Sequence, residues 1–454
     1  MHVRSKFPIF LQIAPNDGLG IRGRHAAGTS RESNMSSIHQ DVIILGAGIG
    51  GLTLALSLHQ AGIPCRVYEA VPKLKPMGVG INLLPHAVRE LSELGLLPAL
   101  DAMAVRTKEA VFFTEHGQLV FTEPAGTAAG YDWPQFSIHR GDLQAVLLAA
   151  VRERLGDGSV LCGHRCVDVD QDEAGVTAHF ADASGEVIAS ARGAVAIGCD
   201  GIHSVLRKKF YPDEGAPRYS GVNMWRGTTR WKPILSGASM IRAGWLAVGK
   251  MVIYPIRDAI DADGNQLVNW VAEIEAEQPA VRDWSREGRL EDFLPAFENW
   301  HFDWLDVPAL IRGADSILEY PMVDQDPLPR WTHGRITLLG DAAHPMVPRG
   351  SNGAGQAILD ARCLAGRLKK EGVGPAALES YDQERVPATA NVVLTNRRTP
   401  PDAILREVYE RSGGKPFARI DDVVPRAELQ AISDAYKRVA GYDPAQLKNR
   451  PSFV

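Results

Sequence analysis

The apolar run Val42-Ile43-Ile44-Leu45 ends on glycines and predicts a buried strand over residues 41–45. Leu52, Ala55 and Leu56 then recur at helical spacing, and residues 65–69 read as a second strand. A strand–helix–strand unit favours a parallel sheet. Residues 109–123 predict a hairpin around His116-Gly117. Leu143, Val146, Leu147, Ala150, Val151 and Leu155 share a helix face. Residues 176–180 and 187–189 predict another hairpin around Ser184-Gly185, followed by a separate buried strand over 194–197.

The pattern changes over 213–327. Seven of the nine tryptophans lie there (Trp225, Trp231, Trp245, Trp270, Trp284, Trp300 and Trp304), which marks an aromatic-rich layer distinct from the parallel unit. Val268, Trp270, Ala272 and Ile274 alternate as a half-buried strand does, so an antiparallel sheet with connecting helices is expected. Residues 335–339 return to a buried strand. The helix after it carries Ala354, Ala357, Ile358, Ala361, Leu364, Ala365 and Leu368 on one face. Residues 401–454 are charged, helical at first and then irregular. Residues 1–34 show no periodicity and read as a disordered extension, with Met35 a possible functional start.

Composition narrows the function classes. The 454 residues carry a net charge of -5, with no basic field for nucleic acid. The five cysteines form no disulfide framework, so a cytoplasmic setting is expected. Cys162, His164 and Cys166 lie close together, but no second ligand pair follows and no metal is expected. The longest uncharged stretch, 42–58, is short and broken by glycines, which excludes an integral membrane span.

Four segments carry candidate chemistry. Gly46-Ala47-Gly48-Ile49-Gly50-Gly51 stands between strand and helix. Its glycines allow a tight turn and close approach of a pyrophosphate to the free N–H groups of a helix start. Glu69 follows at the end of the second strand, where a carboxylate accepts the hydroxyls of an adenosine ribose. These features fit FAD or NAD equally. Second, Gly340-Asp341 leaves a buried strand at its carboxyl end. There Asp341 either meets a polyol such as the ribityl chain of FAD or caps a helix. Third, Pro348-Arg349-Gly350-Ser351-Asn352-Gly353-Ala354-Gly355 opens a helix and suits the negative charge of a reduced flavin or its hydroperoxide. Fourth, Asp200-Gly201 with Arg207 reads from the residues alone as a structural turn.

In this order the four segments resemble the single-component, class A flavin-dependent aromatic hydroxylases, over about residues 38–400. Gly78-Val79-Gly80-Ile81-Asn82, Ser137-Ile138-His139-Arg140-Gly141, Trp225-Arg226-Gly227 and Tyr320-Pro321-Met322-Val323-Asp324 are similar to the phenazine-carboxylate hydroxylases of that family. Salicylate and 3-hydroxybenzoate hydroxylases resemble the chain more distantly. The resemblance implies an α/β protein. A Rossmann-like FAD-binding domain (35–107, 136–212 and 328–400) would hold an inserted mixed α+β substrate domain (108–135 and 213–327), followed by a helical C-terminal region (401–454).

It also implies roles. Gly46, Gly48, Gly51 and Glu69 would hold the adenosine side, and Arg140 and Gln144 the pyrophosphate region. Asp341 would hold the ribityl part, and Gly350, Asn352, Gly353 and Ala354 the pyrimidine edge. Asp200 and Arg207 would serve FAD and nicotinamide. Cys199 stands where the family usually has alanine. Trp225, Tyr254, Tyr320 and Met346 are candidates for the substrate pocket, while His344 reads as a packed residue and no acid or base is assigned.

The implied reaction consumes NADH or NADPH and dioxygen and hydroxylates a small aromatic substrate through a flavin hydroperoxide, in a monomer or homodimer. A flavin dehydrogenase or reductase without oxygen insertion is the alternative, and a non-catalytic nucleotide sensor a more remote one.

Overall fold

The computed structural model describes residues 38–75, 78–277 and 287–454. The extension expected over 1–34, Met35 and Trp284 lie outside the described residues.

The first sheet is built on Ile38–Leu45, flanked in parallel by Cys65–Glu69 on one side and Val187–Gly198 on the other. Val160–Cys162 pairs parallel with the outer edge of Cys65–Glu69, and Ile336–Leu338 pairs parallel with the end of Val187–Gly198. Val42, Ile43 and Ile44 are fully buried, as expected of a strand covered on both faces. The helix Ile49–Ala61 is buried almost all round, including Thr53 and Ser57. Those two hydroxyls donate back to the Ile49 and Thr53 carbonyls at 2.7 Å, so burial leaves neither unpaired.

One expectation changes here. Residues 187–189 and 194–197 belong to one twelve-residue strand. Its first half pairs antiparallel with Val176–Ala181, and its last residues join the parallel core. Exposed Val187 and Ile188 and fully buried Ala196 and Ile197 show why the pattern looked broken. The strand Arg165–Gln171 completes a meander with Val176–Ala181 and takes Cys166 into it. Cys162 ends a different strand. His164 bonds the Cys162 carbonyl through Nδ1 at 2.9 Å, and no metal-holding group occurs among the described residues.

The second sheet runs, in spatial order, Ala314–Asp324, Arg218–Trp231, Gln266–Glu275, Lys250–Arg257, Ser239–Ala243, Glu109–Phe113 and Leu119–Pro124. Its pairs are antiparallel except Ser239–Ala243 with Glu109–Phe113, which is parallel because the chain leaves and re-enters the sheet between them. One face packs Trp225, Trp270, Ile253 and Met251 on Phe293, Phe297 and the short helix Val307–Arg312. The other face carries Val222, Met224, Val271 and Met322, and packs on Val347.

A small sheet of Gly80–Leu83, Gln135–His139 and Val105–Thr107 joins the two larger ones. Gly80 N donates to Asn269 Oδ1 at 2.7 Å, and its carbonyl accepts from Tyr254 Oη at 2.9 Å and Arg226 at 2.7 Å. A side chain at Gly80 would strike Ile256, Tyr254 and Asn269. The end of the chain, expected to be irregular, is helical over Ala403–Ser412, Arg426–Ala440 and Pro444–Asn449. Arg89 donates to the Leu447 and Arg450 carbonyls, and Arg450 pairs with the buried Glu90.

Candidate active site

The strand Ile38–Leu45 delivers Gly46–Gly51 at its carboxyl end, as ligand sites in open α/β sheets require. The three fingerprint glycines differ in what demands them. Gly46 has φ +109°, and a Cβ there would strike the Cys199 carbonyl. A Cβ on Gly51 would strike the Gly46 carbonyl. Gly48 has an ordinary φ of -73° and nothing within 4 Å of its Cβ position. The fold therefore needs the outer two, while the middle one leaves open space before a helix N-terminus.

Glu69 Oε2 accepts from Ala47 N at 2.8 Å and Oε1 from Val71 N at 2.9 Å. Gln144, on the helix Arg140–Leu155, donates to the Ala47 carbonyl at 2.8 Å. Both side chains thus meet the fingerprint turn. Arg140 starts the same helix with its side chain exposed beside Gly78.

The strand Ile336–Leu338 delivers Asp341 next to the second glycine-rich helix start. Asp341 Oδ1 lies 3.9 Å from the Cβ position of Gly353, the first residue of the helix Gly353–Glu371. No side chain caps that helix, so the capping role open to Asp341 is not taken up. Ser351 holds φ +55°, turning the loop so that the backbone of 352–354 leads into the helix. Gly350 is required by contact: a Cβ would overlap the Tyr436 hydroxyl. That hydroxyl accepts from Asn352 Nδ2 at 3.0 Å and donates to Asn396 Oδ1 at 2.6 Å. Asn352 is fully buried in this clamp, so its side chain fixes the loop. Ala354 lies one turn position inside the helix.

Asp200 and Arg207 both meet protein partners. Asp200 Oδ2 accepts from Val205 N at 2.8 Å, while its other oxygen has no partner. Burial raises its carboxyl above the usual range. Arg207 is buried; it grips Glu214 and donates to the Ala342 and Ala343 carbonyls at 3.1 and 2.7 Å. It thereby holds the Asp341 turn from behind. Burial pushes the neighbouring Cys199 thiol well above its ordinary value, which keeps it neutral. His344 is buried against Asp360, with Nε2 2.6 Å from Oδ2, and Asp360 in turn accepts from Arg385.

The pocket candidates separate. Tyr320 packs with Met224, Met322 and Val347 on the face that meets the loop before the Gly353–Glu371 helix. Tyr254 lies on that face too, with its hydroxyl on Gly80. Met346 precedes Val347, and its sulfur receives Asn396 Nδ2 at 3.6 Å. Trp225 points the other way and stacks on Phe293 at 5.0 Å, so it is core behind the sheet.

Sequence reasoning missed a buried charge cluster on the same face of the second sheet as Met224. Lys250 Nζ lies 2.9 Å from Glu273 and 2.5 Å from Asp402, and Arg242 Nε lies 2.9 Å from Asp402. Arg349 Nε approaches Glu273 Oε2 at 4.0 Å. Burial alone would raise the Asp402 carboxyl, but Lys250 and Arg242 hold it below its usual range. Its members span 242–402, so no local motif announced them.

Two glycine-rich helix starts at the carboxyl ends of parallel strands, one with open space at Gly48 and the other beside exposed Asp341, define a dinucleotide-binding fold. The FAD binding domain family matches residues 39–223 and 320–396. The phenazine 1,6-dicarboxylic acid hydroxylase of Lysobacter antibioticus is 42% identical over 88% of this chain and 97% of its own. The 3-amino-4-hydroxybenzoate 2-monooxygenase of Streptomyces platensis is 35% identical over 86% and 96%. A salicylate hydroxylase substrate complex superposes with a TM-score of 0.67 at 25% identity, covering 92% of this chain and 100% of that one. The chain belongs to the FAD-dependent aromatic hydroxylases: it binds FAD and is a monooxygenase of aromatic or heteroaromatic substrates.

Proposed function

We propose that the chain hydroxylates a flat aromatic or N-heteroaromatic small molecule at the expense of NADH or NADPH and dioxygen. One oxygen atom enters the ring, the other leaves as water, and the nicotinamide supplies the hydride. Bound FAD supplies the redox chemistry, accepting that hydride and activating dioxygen.

The protein's part is to bind, orient and keep water out. Gly46–Gly51, with Glu69 and Gln144 behind the turn, holds the adenosine and pyrophosphate end, and Arg140 lies at its rim. Asp341 takes the ribityl hydroxyls. The backbone N–H groups of 352–354 face the pyrimidine edge, where the helix start favours negative charge. Arg207 acts as a positioning residue for the Asp341 turn, and Asp200 fixes the start of the helix that carries Arg207. Tyr320, Met346 and Tyr254 flank the substrate.

One observation carries the reading: Val347, in the loop that opens the Gly353–Glu371 helix, packs on Val222, Met224, Val271 and Met322 of the second sheet. The loop proposed to meet the flavin is therefore seated on apolar residues of the second sheet, which supports a water-poor junction between the two. The test is turnover under labelled dioxygen with product mass spectrometry. Incorporation of one labelled oxygen is expected; product without label would instead support a dehydrogenase.

A further inference from the structure

We propose that Arg226 is a positioning residue for hydroxylation: its bond to the Gly80 carbonyl locks the second sheet onto the strand that leads to the cofactor side. The inference rests on the hydroxylase reading. It gives a role to the arginine of Trp225-Arg226-Gly227, which the cofactor and pocket residues leave unused.

Gly80 is the joint. It is buried, and three neighbouring strands of the second sheet hold it. Asn269, on Gln266–Glu275, accepts from its N–H at 2.7 Å. Tyr254, on Lys250–Arg257, and Arg226, on Arg218–Trp231, donate to its carbonyl at 2.9 and 2.7 Å. A Cβ on Gly80 would come within 2.7–2.8 Å of Ile256, Tyr254 and Asn269, so the strand lies directly on the sheet.

The three holds are not equivalent. Tyr254 and Asn269 stand opposite each other on paired strands, so together they define one line across the sheet. Arg226 stands opposite Val271, two residues along from Asn269, and supplies a third point off that line. Two points leave a hinge, and the third removes it. Arg226 is also the charged donor of the set, and charged donors make the stronger hydrogen bonds.

The joint leads to the cofactor side. Gly80 pairs with His139 across the small sheet, and Arg140 N donates to the Val79 carbonyl at 3.0 Å. Arg140 opens the helix whose Gln144 donates to the Ala47 carbonyl of the fingerprint turn at 2.8 Å. A pivot at Gly80 would therefore shift the substrate side against the cofactor side. Nicotinamide would still be consumed, but its two electrons and both oxygen atoms would leave as hydrogen peroxide, in place of one oxygen in the ring and one in water.

The experiment uses the FAD-loaded full chain as wild type, Arg226→Met and Arg226→Lys. Amide hydrogen exchange is followed by mass spectrometry over residues 78–83 and over the core strand at 42–45. Product, hydrogen peroxide and NAD(P)H consumption are measured together under labelled dioxygen, with phenazine-1,6-dicarboxylate and 3-amino-4-hydroxybenzoate as probes. Arg226→Met should speed exchange over 78–83 about 10- to 100-fold, the range for losing a hydrogen bond to a charged group. Exchange over 42–45 and FAD content should not change. Product per NAD(P)H should fall about 10-fold or more, since a misplacement of about 1 Å slows an oriented reaction about 100-fold. Arg226→Lys keeps the charge and should recover part of both effects. Met keeps the apolar stem and Tyr254 still serves the carbonyl, so the variant should fold. Unchanged exchange over 78–83, or an equal rise over 42–45, would overturn the joint. Faster exchange with full coupling would overturn the positioning role. Wild-type product without labelled oxygen would remove the hydroxylase reading, while exchange would still decide whether Arg226 holds Gly80.

Discussion

Gly48 offers the sharpest separation of folding from cofactor binding. Gly46 and Gly51 are required by the protein itself, since each would place a Cβ on a backbone carbonyl. Gly48 has no such reason: its backbone is extended and its Cβ position is open. Gly48→Val should therefore cost the apoprotein only about 1 kcal/mol, the loss of a favourable helix N-cap, since its side chain meets nothing. The same side chain would fill the approach to the helix start and displace the pyrophosphate. Ligand present at 100 times its dissociation constant stabilises the native state by about 2.7 kcal/mol. At about 2–4 °C per kcal/mol for domains of 150–250 residues, that is a measurable rise in Tm. The assay is thermal unfolding of stripped protein with and without FAD, alongside flavin content after desalting. Wild type should show the rise and Gly48→Val should not, with the apo Tm lowered by no more than about 2–4 °C. A variant that binds FAD with wild-type affinity would refute the placement of the pyrophosphate. A large fall in apo Tm would refute the claim that the fold leaves this position free.

Arg207→Met should destabilise the protein by about 3–5 kcal/mol, because it strands the partly buried Glu214 and frees the Asp341 turn; denaturant titration checks it, with FAD affinity falling in step. His86 is held down to about 3 by burial, then by Arg450 and Arg385, against 6.5 as its ordinary value. The depressed value means that its contribution is whole above pH 6.5 and is lost as pH falls toward 3, so stability should drop across that window, and His86→Leu should flatten the slope in urea melts at stepped pH. Tyr254→Phe removes one hydrogen bond from a carbonyl that Arg226 still serves, costing about 0.5–1.5 kcal/mol. Tyr254→Ala should keep its flavin but divert reduced nicotinamide to hydrogen peroxide; full coupling of product to NAD(P)H in that variant would remove Tyr254 from the substrate's surroundings.

The legible parts of this protein are those where one short segment supplies both the structure and the chemistry. The Gly46–Gly51 turn, Glu69 at the end of the next strand and the Gly340-Asp341 turn are contiguous, and each came out of pattern and spacing. Faces were not legible. Alternation along Arg218–Trp231 separates Met224 from Trp225 but cannot say which side looks toward the cofactor, and Trp225 fell on the other. The small sheet was also hidden: Val105–Thr107 has three residues and Gly80–Leu83 four, too few to establish a period. The charge cluster was hidden for a third reason. Lys250 and Asp402 meet at 2.5 Å across 152 positions of sequence, and no spacing rule links residues that far apart.

Distance along the chain also explains why the last fifty residues belong with the site. The loop before Gly353 needs a fixed shape if its N–H groups are to face a ligand without reorganising. Its own sequence cannot provide that, since Gly350, Ser351 and Gly353 are small and Ser351 sits in a left-handed conformation. Three contacts from elsewhere supply the constraint. Tyr436, on the C-terminal helix Arg426–Ala440, bonds Asn352 and fills the space a Gly350 side chain would need. Asn396, on the helix Pro375–Arg398, accepts from Tyr436 and donates to the Val347 carbonyl at 3.3 Å. Gln356, in the first turns after the loop, donates to the Ala440 carbonyl at 3.1 Å. The glycines give the loop its reach toward a ligand, and the C-terminal helices remove the freedom those glycines would otherwise leave. The same clamp sets where Arg349 stands, because it precedes Gly350 directly. A loosened Tyr436 would therefore free the loop at Gly350 and Asn352 together, just ahead of the helix start.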